Sequence, residues 1–227
     1  MTAPDTTLVR CDDVARTYGS GPTATVALHG TTCSVEAGAQ IAITGPSGSG
    51  KSTLLHLMAG LDDPTVGTVS WPAIGDRRAL RPGPLAMVFQ GPSLLPPLTV
   101  LENVALPLQL EGVRESDARV AAHEALARLQ LEELSDKLPE ELSGGQAQRV
   151  AVARVLAGTP RLILADEPTG QLDRRNADAV VDTLVEVAAE HGAALVVSTH
   201  DPHVAERFST RWSVADGRLS PDVEVLR

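Results

Sequence analysis

The sequence predicts an α/β fold: a mixed, largely parallel sheet flanked by helices, with a helical lobe inserted into it. Three observations lead there. Short, apolar, β-branched runs alternate with segments of helical periodicity, the pattern of strand–helix–strand units. Several runs are apolar at every position rather than at alternate ones, as in strands buried on both faces. One long segment, Pro92–Leu142, lacks strand signals and holds prolines followed by helix-forming residues. At 227 residues and 43% hydrophobic content the chain suits one domain with a sizeable core. Aromatic residues are only 2%, so that core must be built from Leu, Val, Ile and Ala.

Taken in order, residues 1–6 read as a disordered end and 7–227 as a single domain. Strands are expected at Thr7–Cys11, Ala39–Thr44, Leu85–Phe89, Leu162–Ala165, Ala194–Ser198 and Trp212–Ala215. A helix at Lys51–Ala59 follows a glycine loop. Another, Ser116–Leu129, opens on a serine that could cap it, and a third spans Ser143–Leu156. The last long helix, Asn176–His191, places Val180, Val181, Leu184, Val187 and Ala188 on one face and stops at Gly192.

The net charge of −10 argues against nucleic acid as a partner, because phosphate backbones demand a basic surface. Met1–Thr7 has neither a basic n-region nor an apolar h-region, so no secretory leader is expected. No run approaches the ~20 apolar residues of a membrane span, so any membrane role must pass through a partner. The two cysteines, Cys11 and Cys33, have no metal-ligand spacing and read as buried structural residues.

The chemistry starts at Gly45-Pro46-Ser47-Gly48-Ser49-Gly50-Lys51-Ser52, which follows a strand and opens a helix. That is G-x-x-x-x-G-K-[ST] in its required context. Glycines let backbone N–H groups close around phosphates, and the positive end of the following helix favours the anion. Lys51 would neutralise the β- and γ-phosphates of a nucleotide, and Ser52 would ligate Mg²⁺. A glycine-rich turn without a ligand is the bland alternative, and the strand–loop–helix context disfavours it.

"LILADEP" is an apolar strand ending in Asp166 and Glu167. Asp166 would hold Mg²⁺ directly or through water, and Glu167 would orient the attacking water. "VVSTHD" puts His200 at the end of a further apolar run, and parallel strands carry ligands at their carboxyl ends. His29, His56, His123, His191 and His203 lack that placement and read as surface or core residues.

"LSGGQ", Leu142–Gln146, poses a different problem. Ser143 and Gln146 have capping-box spacing, so one reading is a well-capped helix. A box does not need Gly144 and Gly145, however. Two glycines permit close backbone approach and leave N–H groups free at the positive helix end, which suits a phosphate.

Together these residues resemble the ATP-binding subunits of ABC transporters, over about Leu8–Ser220. The motifs are Gly45–Thr53, Gln90, Leu142–Gln146, Leu164–Pro168, Leu172–Asp173 and His200, in the family's order. The resemblance implies a P-loop NTPase core of RecA-like type, an antiparallel β edge, and a helical subdomain at about 91–157. It also implies ATP and Mg²⁺, and a second ATPase subunit packed head to tail, a homodimer in the simplest case. Ser143, Gly144, Gly145 and Gln146 would then be the signature acting in trans, with Ser143 and Gly145 touching the γ-phosphate held by the partner's Lys51. Further roles carry over: Tyr18 stacks on adenine, Gln90 contacts Mg²⁺ or water and senses an integral-membrane permease, and Asp173 lies at the dimer seam. The apolar start of the lobe, with Leu94, Leu95 and Leu98, would help form the groove for that permease. The resemblance implies a cytoplasmic protein, peripheral on the inner face of the membrane.

Within the family, "LADEPTGQLD" is similar to the lipoprotein-releasing and macrolide-export branch, which usually reads DEPTGNLD where importers often read DEPTSALD. Gln171 departs from that pattern, and the segment between Gly67 and Gln90 is shorter than the branch's. Export or mechanical extraction of a lipoprotein, lipid, peptide or drug is the implied task. An importer ATPase and a non-transport ABC ATPase such as a cell-division regulator are the alternatives. A small-molecule kinase is disfavoured by "LSGGQ".

Overall fold

The structure is a computed structural model and describes residues 5–221. Met1–Pro4, most of the segment expected to be disordered, lie outside the described residues, as do 222–227. In chain order the elements are β1 (Thr7–Tyr18), β2 (Thr25–Glu36), β3 (Gln40–Thr44), α1 (Lys51–Met58), β4 (Val66–Ser70) and β5 (Leu85–Val88). Then come α2 (Val100–Leu110), α3 (Glu115–Arg128), α4 (Gly144–Leu156), β6 (Leu162–Asp166) and α5 (Arg174–His191). The chain ends with β7 (Ala194–Thr199), α6 (Pro202–Ala205), β8 (Thr210–Ala215) and β9 (Arg218–Pro221).

Two sheets form. One is antiparallel and three-stranded, in the order β2-β1-β4. The other has six strands in the order β5-β6-β7-β3-β8-β9, parallel except for the β8–β9 pair. This is the mixed, largely parallel sheet that the sequence predicts, with the antiparallel edge that the resemblance implies.

The apolar runs are explained by what they face. In β6, Leu162 and Leu164 point into a core shared with α1 and the three-stranded sheet, whereas Ile163 and Ala165 point into the core under the helices. In β7, Ala194 and Val196 divide from Leu195 and Val197 in the same way. A strand with helix on one side and a second layer on the other has no wet face, so it carries no alternation. α1 is held between the two sheets, and α2, α3 and α4 pack on one another beside β5.

Helix ends follow their side chains. Thr99 and Glu102 form a capping box on α2, and the Asp173 carboxylate accepts from the Asn176 amide at 2.9 Å to start α5. That cap opens α5 two residues earlier than its apolar face alone suggests. Gly192, left-handed at φ 62°, closes it as expected. Ser116 does not cap α3: the helix begins one residue before it, on an uncapped Arg114, and the Ser116 hydroxyl turns to Asp117. Among the described residues no helix is long and apolar enough to cross a membrane.

Candidate functional site

The loop between β3 and α1 is shaped by glycine at points of close approach. At Gly45, φ is 146° and an added Cβ would stand 2.1 Å from the Val214 carbonyl oxygen of β8. At Gly50, φ is 109° and the Cβ would stand 2.4 Å from the Ala27 carbonyl oxygen. Gly50 is also the N-cap of α1 and contributes no side-chain cap, so the helix end is left for an outside acceptor. Pro46, Ser47 and Gly48 are exposed at the loop tip, and Ser52 and Thr53 lie half-buried in the first turn. The buried Ser49 hydroxyl has no protein hydrogen-bond partner.

Lys51 is only 5% exposed. Its ammonium donates to the Gly45 and Pro46 carbonyls at 2.9 and 3.1 Å and lies 3.6 Å from Glu167 Oε1. The folded loop thus holds a buried cation over its own carbonyls, with one carboxylate to balance it.

Asp166 ends β6 and Glu167 turns away from it in a left-handed conformation, φ 46°. Such a conformation costs about 1–2 kcal/mol for a residue with a Cβ and must be held from outside. Ser198 of β7, opposite Asp166 in the parallel register, holds it. The Ser198 hydroxyl donates to Asp166 Oδ1 at 2.5 Å and accepts from the Glu167 amide at 3.0 Å. The Ser198 carbonyl takes the same amide at 3.2 Å. Thus oriented, Glu167 places Oε2 2.8 Å from His200 Nδ1. Facing an ionised carboxylate, which only accepts, Nδ1 is the donor of this contact, and Nε2 is left for another partner. The His200 side chain is 61% exposed.

The structure therefore brings together Lys51, Asp166, Glu167 and His200, at the carboxyl ends of three adjacent parallel strands. Gln90 is exposed just past β5, next to Phe89, whose carbonyl accepts from buried Gln148 at 3.2 Å. Tyr18 is 40% exposed at the end of β1; its hydroxyl donates to Asp62 at 2.8 Å and Arg16 covers its ring at 4.6 Å.

Ser143–Gln146 form a separate half. The Ser143 hydroxyl accepts from the Gln146 amide at 3.2 Å, and Gln146 Oε1 accepts from the Ser143 amide at 2.9 Å, closing the capping box. Gly144 and Gly145 have a role inside the chain as well as toward any ligand. A Cβ on Gly144 would stand 3.1 Å from Gln171 Oε1, and one on Gly145 3.3 Å from Leu172 Cδ2. They admit the segment that leads to Asp173. Hydrogen bonds from the Asn176 amide and side chain hold the Asp173 carboxyl below its ordinary value. Among the described residues no hydrogen bond or ion pair joins Ser143–Gln146 to the β3–α1 loop.

Two buried polar positions that shape the site and the lobe escaped the sequence. Ser198 sat inside an apolar run, and its polarity at the penultimate place of a doubly buried strand was the available signal. Asn103, fully buried in α2, accepts from the Leu95 amide at 2.7 Å and donates to the Leu98 carbonyl at 2.9 Å, shaping the start of the lobe. An apolar groove of about 270 Å³ is lined by Met87, Phe89, Leu106, Pro107, Leu110 and Arg154 among others, whereas Leu94 packs against the helical core and Leu98 lines another hollow.

These donors fit a nucleoside triphosphate with Mg²⁺. A buried ammonium, an uncapped helix end and an unpartnered hydroxyl suit phosphate oxygens. The described residues contain no cluster of three His, Cys, Asp or Glu for a metal. Mg²⁺ needs none, since it is held by one or two carboxylates along with phosphate and water. The family model for the ABC transporter matches residues 28–170, more than half of the chain. Two solved structures of MJ0796 are similar: the dimeric post-hydrolysis state of that ATP-binding cassette bound to ADP and Pi, and its dimeric structure as a bacterial ABC transporter cassette. Each is 36% identical at a TM-score of 0.89, covering 96% of this chain and 99% of that one. Also similar is cbiO1 from Clostridium perfringens, part of the ABC transporter complex cbiONQ, at 29% identity and a TM-score of 0.79, over 95% of this chain and 88% of that one. With the phosphate loop, the paired carboxylates and the capped glycine signature all in place, this chain belongs to the ABC transporter family, as an ATP-binding cassette that hydrolyses ATP.

Proposed function

We propose that this cassette works as a head-to-tail dimer that closes around two ATP–Mg²⁺ sites and drives a separately encoded membrane permease. The observation that supports the reading is that, among the described residues, no hydrogen bond or ion pair joins Ser143–Gln146 to the group of Lys51, Glu167 and His200. A second copy completes each site. Lys51 and the amides from Gly45 to Thr53 hold the phosphates, and Tyr18 offers its ring to the base. Ser52, Asp166 and Gln90 would supply oxygens for Mg²⁺, which would neutralise phosphate charge. Glu167, fixed through Ser198, orients the attacking water, and His200 donates to the terminal phosphate through Nε2 when that nitrogen carries a hydrogen. Ser143, Gly144, Gly145 and Gln146 close the site from the partner, with Asp173 at the seam. Closing removes water and strengthens each of these charge contacts.

The groove beside Phe89 and Leu106 is the permease-facing surface, and Gln90, next to it, links occupancy of the site to that surface. The protein then sits in the cytoplasm, on the inner face of the membrane. Export or mechanical extraction is supported by "DEPTGQLD". The test is Glu167→Gln. Phosphate release from ATP should fall by at least 10²-fold while ATP-dependent dimer accumulates in size-exclusion chromatography. Undiminished hydrolysis refutes the role of Glu167. Co-purification of the tagged variant with ATP from solubilised membranes should bring down a membrane permease; a soluble partner alone refutes the transport reading.

A further inference from the structure

We propose that Cys11 and Cys33 form a reversible intramolecular disulfide, a modification site at the root of the β1–β2 hairpin. They are the only cysteines in the chain. The pairing of β1 with β2 sets them directly opposite each other, after the unbroken pairs Val9↔Val35 and Arg10↔Ser34. Directly opposed residues of antiparallel strands have Cα atoms about 4.5–5.5 Å apart, inside the span of about 4.4–6.8 Å that a disulfide bridges. Opposed residues also point to the same face. Cys11 is fully buried in the core under the three-stranded sheet, and partly buried Cys33 packs against the same core. Hydrogen bonding with the neighbouring Cys33 thiol, then burial, push the Cys11 thiol pKa up.

This asymmetry sets the order of events. Thiolates attack disulfides, and the buried Cys11 thiol is a poor first nucleophile. Partly exposed Cys33 attacks one sulfur of a low-molecular-weight disulfide such as glutathione disulfide and expels one thiolate. Cys11 then loses its proton to solvent and attacks the Cys33 sulfur, expelling the second. Two protein thiols are oxidised and one disulfide is reduced to two thiols; excess thiol reverses both exchanges. Bridges of this kind inside cells are transient and responsive rather than permanent. Here the bridge spans the hairpin that carries Tyr18, and it ties the two strands at the end remote from the turn. The inference stands apart from the transport reading and does not depend on it.

The test uses the intact, reduced wild-type protein under native conditions with oxidised glutathione, followed by acid quench and intact mass. The expected product has lost two hydrogens, carries no glutathione, yields a Cys11–Cys33 linked peptide and melts higher by roughly 5–10 °C. Dithiothreitol should restore both the mass and the melting point. Cys11→Ser should stop at one glutathione adduct on Cys33. A lasting adduct on wild-type Cys33, two unchanged thiols, or a bridge between two chains would each overturn the proposal.

Discussion

Replacing Ser198 with alanine tests the carboxylate pair through the one residue that holds both members. The hydroxyl is fully buried and donates to Asp166 at 2.5 Å while receiving the Glu167 amide at 3.0 Å. Alanine removes the donor and leaves a buried Asp166 oxygen without this partner. A hydrogen bond to a charged group contributes about 1.5–3 kcal/mol, so Ser198→Ala should cost about 2 kcal/mol. For a chain of this size that lowers Tm by roughly 4–8 °C. The Glu167 amide keeps the Ser198 carbonyl at 3.2 Å, so its left-handed turn survives in looser form. kcat should therefore fall about tenfold, short of the ~10²-fold cost of a 1 Å misplacement. Scanning calorimetry and steady-state phosphate release read the two effects. A variant with wild-type Tm and wild-type kcat would show that the Ser198 bridge neither stabilises nor positions, and the reasoning would fail.

Gly45→Ala and Gly48→Ala separate two kinds of strain. The first puts a Cβ against the Val214 backbone and should cost at least ~3 kcal/mol with loss of nucleotide binding; the second, at φ 76° in open space, should cost about 1–2 kcal/mol. Equal melting points for the two would refute the packing argument. Asp173→Ala removes the cap of α5. The folded carboxyl lies below its reference value of 3.8, so its contribution is fully present above that value and is lost as pH falls through the folded pKa. The Tm gap between wild type and variant should be constant from neutral pH down to about pH 4 and close below it, as melting curves across pH would show.

The fold was legible where burial is two-sided. β3, β5, β6 and β7 carry short apolar runs because both faces are covered. β2 and β4 were missed because they belong to the thin sheet whose outer face is wet. β4 holds Gly67 against the backbone of Asp13, and β2 interrupts itself with His29, Gly30 and paired threonines. α2 was hidden by Pro107 and by the prolines before it. At the site, the spacing of residues 45–52 and the acidic pair after β6 were readable because each is local. Ser198 was not, since its role comes from register with a strand more than thirty residues earlier. The reading of Gly144 and Gly145 as ligand-facing missed their second use, because the approach of Gln171 and Leu172 is a tertiary contact.

The Lys51–Glu167 contact has a consequence for how nucleotide affinity should be understood. In the resting chain the ammonium already has an anionic neighbour, so a phosphate arriving there competes with a side chain rather than filling an empty electrostatic hole. Measured affinity is the difference between two attachments of the same cation. Any change that neutralises Glu167 therefore acts twice: it removes the group that orients water, and it frees Lys51 for the substrate. Tighter binding in such a variant is then partly a property of the idle state, present before any bond has begun to break.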